Sequence, residues 1–226
     1  MKIAELFHSI QGEGKLAGVP SVFVRASGCN LRCAWCDTPY ASWDPEGENL
    51  PVERIVEQVE QFRTHHVVIT GGEPLIMPEI ESLCEALKSG GHHITIETAA
   101  TVYKSVPVDL ASLSPKLSNS TPRGTPYEAM HEQHRINPGV IQRFIDHSAD
   151  FQIKFVVSGE GDLAEIHSLL DRLHGWRPED VQLMPEGIDQ QTLQSRASWI
   201  ARACAQTGFR YSPRLHILLY GNKRGT

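Results

Sequence analysis

Three cysteines that lie close together in the chain are the residues best suited to carry chemistry. Cys29, Cys33 and Cys36 have the spacing CxxxCxxC within the segment GCNLRCAWCDT. Three thiolates at this spacing can converge on one inorganic centre, and they leave one coordination position without a protein ligand. An open position allows a metal centre to act on a bound molecule. The motif therefore favours an iron–sulfur cluster with one open iron.

Other uses of the three cysteines remain open on the motif alone. A disulfide framework is disfavoured, because the cysteines are too close together and no export signal precedes them. A structural zinc site usually needs a fourth Cys or His nearby, and none follows at the usual spacing. Five cysteines without an export signal indicate a reducing compartment, where thiols stay available to a metal. We therefore expect a cytoplasmic protein.

Length and composition indicate one globular domain. The chain has 226 residues, of which 40% are hydrophobic and 21% charged, enough for one substantial core. No stretch of about 18 apolar residues is present, so we expect no membrane span. The net charge of -6 and the lack of basic stretches argue against binding to nucleic acid.

Predicted strands alternate with predicted helices along the chain. The strands are Lys2–Phe7, Ser21–Ala26, His66–Thr70, His93–Glu97, Leu110–Ser114, Phe151–Val157, Val181–Met184 and a closing strand at Arg214–Leu219. Helices are expected after Pro51, from Pro78 to Gly90, at Val140–Ile145, over Leu163–Leu173, and from an N-cap at Asp189 to about Gln206. Cys84 and Cys204 fall within two of these helices as core residues. Residues 115–138 show little periodicity and are expected to form a lid or to be disordered.

The predicted topology brings several polar segments to one place. Strands alternating with helices imply a parallel sheet, and ligands of such sheets gather at the C-terminal ends of the strands. The cysteine loop follows the strand Ser21–Ala26, and three further polar segments each follow a later strand: Gly71–Pro74, Glu97-Thr98 and Ser114–Lys116. We expect all four to form one site.

The cysteine loop and the glycine-rich turn together resemble the motifs of radical S-adenosylmethionine (SAM) enzymes. CNLRCAWC follows the first core strand, and GGEP (Gly71–Pro74) follows the next. The resemblance implies an α/β fold, a partial (incomplete) TIM-like βα barrel, as a single radical SAM domain over residues 1–226. It also implies that the three cysteines hold a 4Fe–4S cluster whose open iron is chelated by SAM. Contact between the cluster and the sulfonium would allow electron transfer that cleaves SAM to a radical.

The same resemblance assigns a set of residues to SAM binding. Trp35 would pack near the adenine of SAM, and the Glu73 carboxylate would accept a hydrogen bond from the ammonium group of SAM. Gly72 would let the backbone approach the ligand, because it has no Cβ. The full set is Trp35, Asp37, Gly72, Glu73, Ser114, Pro115, Lys116, Met184, Pro185, Glu186 and Gly187.

A closer resemblance covers essentially the whole chain. The matching segments are Ser9–Gly14 (SIQGEG), Arg25, Cys36–Thr38, Thr70–Pro74, Ser114–Lys116, Met184–Gly187 (MPEG) and Ser212–His216 (SPRLH). They resemble the 7-carboxy-7-deazaguanine synthase family. Membership would imply a carbon–nitrogen lyase that converts 6-carboxy-5,6,7,8-tetrahydropterin to 7-carboxy-7-deazaguanine with loss of ammonia, in queuosine and deazapurine biosynthesis.

The family resemblance also assigns substrate and metal contacts. The substrate residues would be Ile10, Gln11, Gly12, Glu13, Arg25, Thr70 and His216. Arg25 interrupts an apolar strand, so its side chain either reaches solvent or offers a fork to an anion such as the substrate carboxylate. Thr38 matches a magnesium-binding position. One neutral oxygen is a poor Mg²⁺ site, so we expect the ion to bind only with the substrate.

One turn departs from the pattern of the family. The chain has Glu97-Thr98-Ala99-Ala100 where the family commonly has Asn-Gly after Glu-Thr, so the conformation of this turn is not predicted.

Two alternative functions remain open. A glycyl-radical-enzyme activase has similar motifs, and a non-catalytic iron–sulfur or zinc module is a further alternative. For the synthase we expect a flavodoxin-like electron donor as partner and a homodimer.

Overall fold

A nine-stranded sheet organises the computed structural model, which describes all residues from Met1 to Thr226. The strands are β1 (Lys2–Ile10), β2 (Pro20–Ala26), β3 (Glu48–Asn49), β4 (His66–Gly71), β5 (His93–Thr98), β6 (Leu110–Leu113), β7 (Phe151–Val157), β8 (Val181–Pro185) and β9 (Arg210–Tyr211). The helices are α1 (Pro39–Ser42), α2 (Val52–Glu60), α3 (Ile80–Ser89), α4 (Glu128–His134), α5 (Pro138–His147), α6 (Asp162–Leu170), α7 (Gln190–Thr207) and α8 (Leu215–Tyr220).

The order of the strands is that of an open βα barrel. The sheet runs β3-β1-β2-β4-β5-β6-β7-β8-β9. All neighbours from β2 to β9 are parallel, whereas β1 pairs antiparallel with both β2 and β3. Each parallel strand therefore lies beside its predecessor, and the short β3 and β9 leave the barrel open. This confirms the predicted partial barrel. None of the helices combines the length with the hydrophobicity that a membrane span requires.

Alternation along the strands separates an apolar outer face from a polar inner face. In β2, Val22 and Val24 belong to the hydrophobic core, and in β7 Ile153 and Phe155 do the same. Side chains at alternating positions point to opposite faces of a sheet. The residues between them therefore face the barrel interior.

The helices cover the outer face, and their ends follow local signals. The carboxylate of Asp189 accepts a hydrogen bond from the Thr192 amide at 2.9 Å, which confirms the predicted N-cap of α7. Gly208, with φ of 78°, ends this helix in the left-handed conformation that glycine favours. Cys84 and Cys204 are both buried in helices, as predicted.

The C-terminal prediction was wrong. Residues predicted as a closing strand form helix α8 instead, and only Arg210 and Tyr211 pair at the edge of the sheet. A short apolar run does not distinguish a strand from a helix by its pattern. Here the Leu215 amide donates to the carbonyl of Gly12 at 2.9 Å, so a distant turn holds the start of the helix.

Residues 115–138 are also ordered differently from the prediction of a lid or disorder. They form a 3-10 turn at Ser118–Ser120 and helix α4, which pack against the cysteine loop. The helix has one fully buried side chain, His131. A polar anchor of this kind leaves no apolar periodicity in the sequence.

Candidate active site

One cavity at the C-terminal ends of the parallel strands collects most of the predicted site residues. Because the strands are parallel, their C-terminal ends lie at the same edge of the barrel, as predicted from the sequence. The predicted residues that line the cavity are Ile10, Gln11, Gly12, Glu13, Arg25, Cys29, Cys33, Trp35, Cys36, Asp37, Thr38, Thr70, Gly72, Ser114, Lys116, Met184, Glu186, Gly187 and His216.

Three residues predicted to bind SAM do not line this cavity: Glu73, Pro115 and Pro185. The Glu73 carboxylate is 0% exposed and accepts hydrogen bonds from the Thr98 hydroxyl and the Ala99 amide, both within 2.9 Å. It also accepts from the Leu75 amide at 3.1 Å. In this arrangement Glu73 holds the GGEP turn against the end of β5 and presents no oxygen to the cavity.

The cysteine loop connects β2 to α1 and is held by backbone contacts. The Gly28 amide donates to the Ala41 carbonyl at 2.8 Å, and the Glu73 amide donates to the Gly28 carbonyl at 2.9 Å. Gly28 has a φ of 120°, which residues with a Cβ rarely adopt. These bonds seat the GGEP turn directly on the loop that carries the three thiols.

Cys29, Cys33 and Cys36 form no disulfide, and burial shifts the pKa of two of these thiols. Burial raises the pKa of Cys29 to about 11 and that of Cys33 to about 12. These two groups are therefore protonated at neutral pH in the metal-free chain. Binding of iron requires the thiolates, so it must release protons.

Three cysteine thiols, Cys29, Cys33 and Cys36, line the same cavity and are free. The two other cysteines, Cys84 and Cys204, do not line the cavity and are buried in helices. Iron–sulfur clusters are held by cysteine thiolates. Three thiols beside open space fit a cluster that leaves one position for a ligand from outside the protein.

Glu97, which also lines the cavity, forms hydrogen bonds with two of the predicted substrate residues. Its carboxylate accepts from Gln11 Nε2 at 3.2 Å and from the Thr70 hydroxyl at 2.9 Å. No role of its own was predicted for Glu97 from the sequence. The available signal was an acidic residue at the end of the apolar strand HITIE.

A buried charge network forms the next part of the wall. Lys154 Nζ donates to Glu13 Oε2, Arg214 Nε donates to Glu13 Oε1 at 3.2 Å, and Arg214 Nη2 donates to Asp37. Burial would raise the pKa of Glu13, but Lys154 and Arg214 outweigh it and hold that pKa well below its usual range. Lys154 and Arg214 were not predicted as site residues. The signal for Lys154 was a charge within the apolar strand FQIKFVV, the same signal that Arg25 gave.

Arg25 is held from one side only. Its Nε donates to Glu5 Oε2 at 2.9 Å, and the Tyr40 hydroxyl donates to the same oxygen at 2.7 Å. No hydrogen bond within the chain uses the two terminal nitrogens of Arg25, which is part of the cavity wall. Glu5 therefore orients a guanidinium fork whose outer edge is available to an anion.

His216 lies on α8, not on a strand, and packs on the turn at Gly12. A Cβ at Gly12 would come within 2.0 Å of His216 Nδ1, so only glycine allows this approach. Burial lowers the pKa of His216, although Glu13 opposes the shift. The ring is therefore neutral at pH 7.

The turn after β5, which the sequence left undetermined, takes a left-handed residue without glycine. Ala100 has a φ of 54°, and its amide donates to the Thr98 hydroxyl at 3.0 Å. The same hydroxyl donates to Glu73. Thr98 thus couples this turn to the GGEP turn.

The open barrel carries three free cysteines after its first parallel strand, and residues 23–126 match the Radical SAM superfamily, which is the class of protein that this fold and site indicate. A 7-carboxy-7-deazaguanine synthase of Halobacterium salinarum is 42% identical over 98% of this chain and 91% of its own length. The synthase of Rhodopirellula baltica is 44% identical over 99% and 88%. The crystal structure of QueE from Escherichia coli has a TM-score of 0.72 at 25% identity and covers 95% of this chain and 94% of that one. The chain belongs to the 7-carboxy-7-deazaguanine synthase family of radical SAM enzymes.

Proposed function

We propose that this chain contracts the ring of 6-carboxy-5,6,7,8-tetrahydropterin to give 7-carboxy-7-deazaguanine and ammonia. The observation that carries the proposal is one cavity that is lined both by the cysteine loop and by charged and polar side chains, including the fork of Arg25. A flat heterocycle with many N–H groups and one carboxylate is complementary to these side chains. The relatives named above are named for this product.

Cys29, Cys33 and Cys36 are the residues that would hold a 4Fe–4S cluster. Trp35 and Gly72, with the cavity-lining residues of 114–116 and 184–187, would bind SAM beside it. When bound, the cluster and SAM supply radical chemistry that begins with removal of a hydrogen atom from the substrate. The chain's own contribution is to position the substrate and to exclude water.

Arg25 would bind the substrate carboxylate. Its Nε is occupied by Glu5, so the two terminal nitrogens can form the paired hydrogen bonds that guanidinium and carboxylate groups favour. The stacked rings of Phe7 and Phe23, 5.0 Å apart, lie beside it, with the guanidinium carbon 5.9 Å from the Phe7 centroid. This apolar surround reduces competition from water.

Glu97 and Glu13 would accept hydrogen bonds from the N–H groups of the pterin edge. Each carboxylate has about four lone-pair directions, and the contacts within the chain leave some of these free. Gln11 and Thr70 hold Glu97 in place, while Lys154 and Arg214 hold Glu13. The acceptors are therefore oriented before the substrate arrives.

Magnesium, the electron donor and the assembly are parts of the same proposal. Thr38 lies on the cavity wall and offers one hydroxyl oxygen, so Mg²⁺ would need oxygens from the substrate and from water. A flavodoxin-like protein would supply electrons to the cluster, and the chain would act as a homodimer in the cytoplasm.

The deciding experiment follows the product of the reconstituted enzyme without oxygen. The enzyme is supplied with SAM, Mg²⁺, a reductant and 6-carboxy-5,6,7,8-tetrahydropterin, and 7-carboxy-7-deazaguanine and ammonia are measured together. Arg25→Gln should lower kcat/KM by about 10- to 100-fold. This change corresponds to the loss of hydrogen bonds to a charged group, which contribute about 1.5–3 kcal/mol. Arg54→Gln, which alters an exposed pair with Glu57, is the matched control and should leave the rate unchanged.

Two results would contradict the proposal. One is SAM cleavage that is not coupled to the pterin, with neither product nor ammonia. The other is a normal rate in Arg25→Gln, which would show that Arg25 does not bind the substrate carboxylate even if the product forms.

A further inference from the structure

Residues 117–135 form a brace that packs against the cysteine loop. The Ala34 amide donates to the Ser120 carbonyl at 2.8 Å, and the Arg32 amide donates to His131 Nδ1 at 3.2 Å. Ala34 and Arg32 are the two neighbours of Cys33. The backbone on both sides of this cysteine is therefore fixed by one segment that lies about 100 residues further along the chain.

The hydrogen bonds of His131 determine its tautomer. The Ser120 hydroxyl donates to the Leu117 carbonyl at 2.6 Å, so its oxygen must accept from His131 Nε2–H at 2.9 Å. Nδ1 then carries the lone pair that accepts from the Arg32 amide. Both ring nitrogens are used, and the ring is 0% exposed.

Aromatic contacts add a second point of attachment. The Arg32 guanidinium carbon lies 5.4 Å from the Tyr127 ring centroid, and Trp43 meets Tyr127 edge to face at 5.5 Å. Trp43 Nε1 also donates to the Cys33 carbonyl at 3.1 Å. The brace thus reaches Cys33 through two independent routes.

His131 is not one of the residues that line the cavity, so it has no direct route to SAM or substrate. A buried imidazole with two specific partners loses more solvation than an apolar side chain of similar size. What the imidazole provides, and an apolar side chain would not, is an acceptor for the amide between Cys29 and Cys33.

We propose that His131 is a positioning residue for the iron–sulfur cluster, which fixes the loop around Cys33 through Arg32 and Ser120 and so slows loss of the cluster. The inference rests on membership of the radical SAM superfamily and not on the identity of the substrate. Partners that orient metal ligands are commonly worth about 10- to 100-fold in metal affinity.

The test measures cluster retention without substrate, so it is independent of the reaction. Wild-type and variant proteins are reconstituted without oxygen, and iron, sulfide and visible absorbance are followed after addition of an iron chelator. His131→Leu should lose its cluster about 10-fold faster, whereas His131→Asn, which keeps an acceptor near the Nδ1 position, should stay within about 3-fold of wild type. The control is His134→Leu, because His134 is an exposed residue of the same helix and bonds only to its own turn.

The melting temperature of the metal-free chain separates positioning from general stability. We expect His131→Leu to lose its cluster faster than His131→Asn, although the two variants have similar melting temperatures without the metal. Equal cluster loss in wild type and His131→Leu would overturn the proposal. So would equal acceleration by Asn and Leu, because the acceptor would then be irrelevant. If His131→Leu does not fold, Ser120→Ala serves instead, with about 3-fold faster loss expected and an unchanged rate counting against the proposal.

Discussion

Replacement of Lys154 by methionine should destabilise the chain strongly, because it leaves a buried carboxylate short of a cation. The Lys154 side chain is 5% exposed, and its ammonium group donates to Glu13 and lies 3.9 Å from Glu97. Methionine preserves most of the apolar stem and removes only the charge. The stability change therefore reports the electrostatics of the cavity wall.

The magnitude follows from the partners that remain. Removing one member of a buried ion pair typically costs about 3–5 kcal/mol. Arg214 stays 3.2 Å from Glu13 and compensates in part, so we expect the lower end, about 3 kcal/mol. Glu13→Gln combined with Lys154→Met should cost about 2 kcal/mol less than the sum of the single changes, because neither charge is then left unpaired.

Urea unfolding of the metal-free chain at pH 7 measures these free energies. The matched control is Lys88→Met, whose ammonium group pairs with Asp109 at the surface and is 43% exposed. Exposed pairs contribute about 0–1 kcal/mol. If Lys154→Met costs no more than Lys88→Met, the assigned network does not stabilise the fold, and Lys154 cannot be orienting Glu13 for substrate.

Two further changes test the packing and the protonation of the barrel. Gly72→Ala should lower the free energy of unfolding by about 3 kcal/mol or more, because a Cβ there would lie 2.1 Å from the backbone oxygen of Gly28. The control Gly159→Ala, which has open space around it, should change that free energy by no more than about 0.5 kcal/mol, and similar urea midpoints for the two variants would contradict this. Burial lowers the pKa of His66 to about 4, so the unfolded chain binds more protons than the folded one below about pH 6.5. The free energy of unfolding should fall as the pH falls from about 6.5 to about 4, by at most about 1.4 kcal/mol per pH unit and about 3 kcal/mol in total. His66→Gln should lack this part of the pH dependence, and an unchanged profile would show that the folded ring titrates normally.

Local patterns in the sequence predicted most of the fold, and their resemblance to known motifs identified the radical SAM superfamily. The CxxxCxxC motif, the GGEP turn and the alternation of strands with helices each depend on residues a few positions apart. The same is true of Arg25 and Lys154, whose charges interrupt apolar strands, although only Arg25 was given a role. Periodicity failed at α8 and at residues 115–138, where a distant carbonyl and a buried histidine determine the structure.

Only the tertiary structure decided which side chains meet. Lys154 pairs with Glu13 across 141 residues, Arg214 with Asp37 across 177, and the Arg32 amide with His131 across 99. Glu73 carries the sequence of a ligand contact, yet folding buries its carboxylate under the neighbouring turn. A motif states which groups are available, whereas the register of the parallel strands determines where each group points. That register depends on the packing of the whole barrel, so no local stretch of sequence contains it.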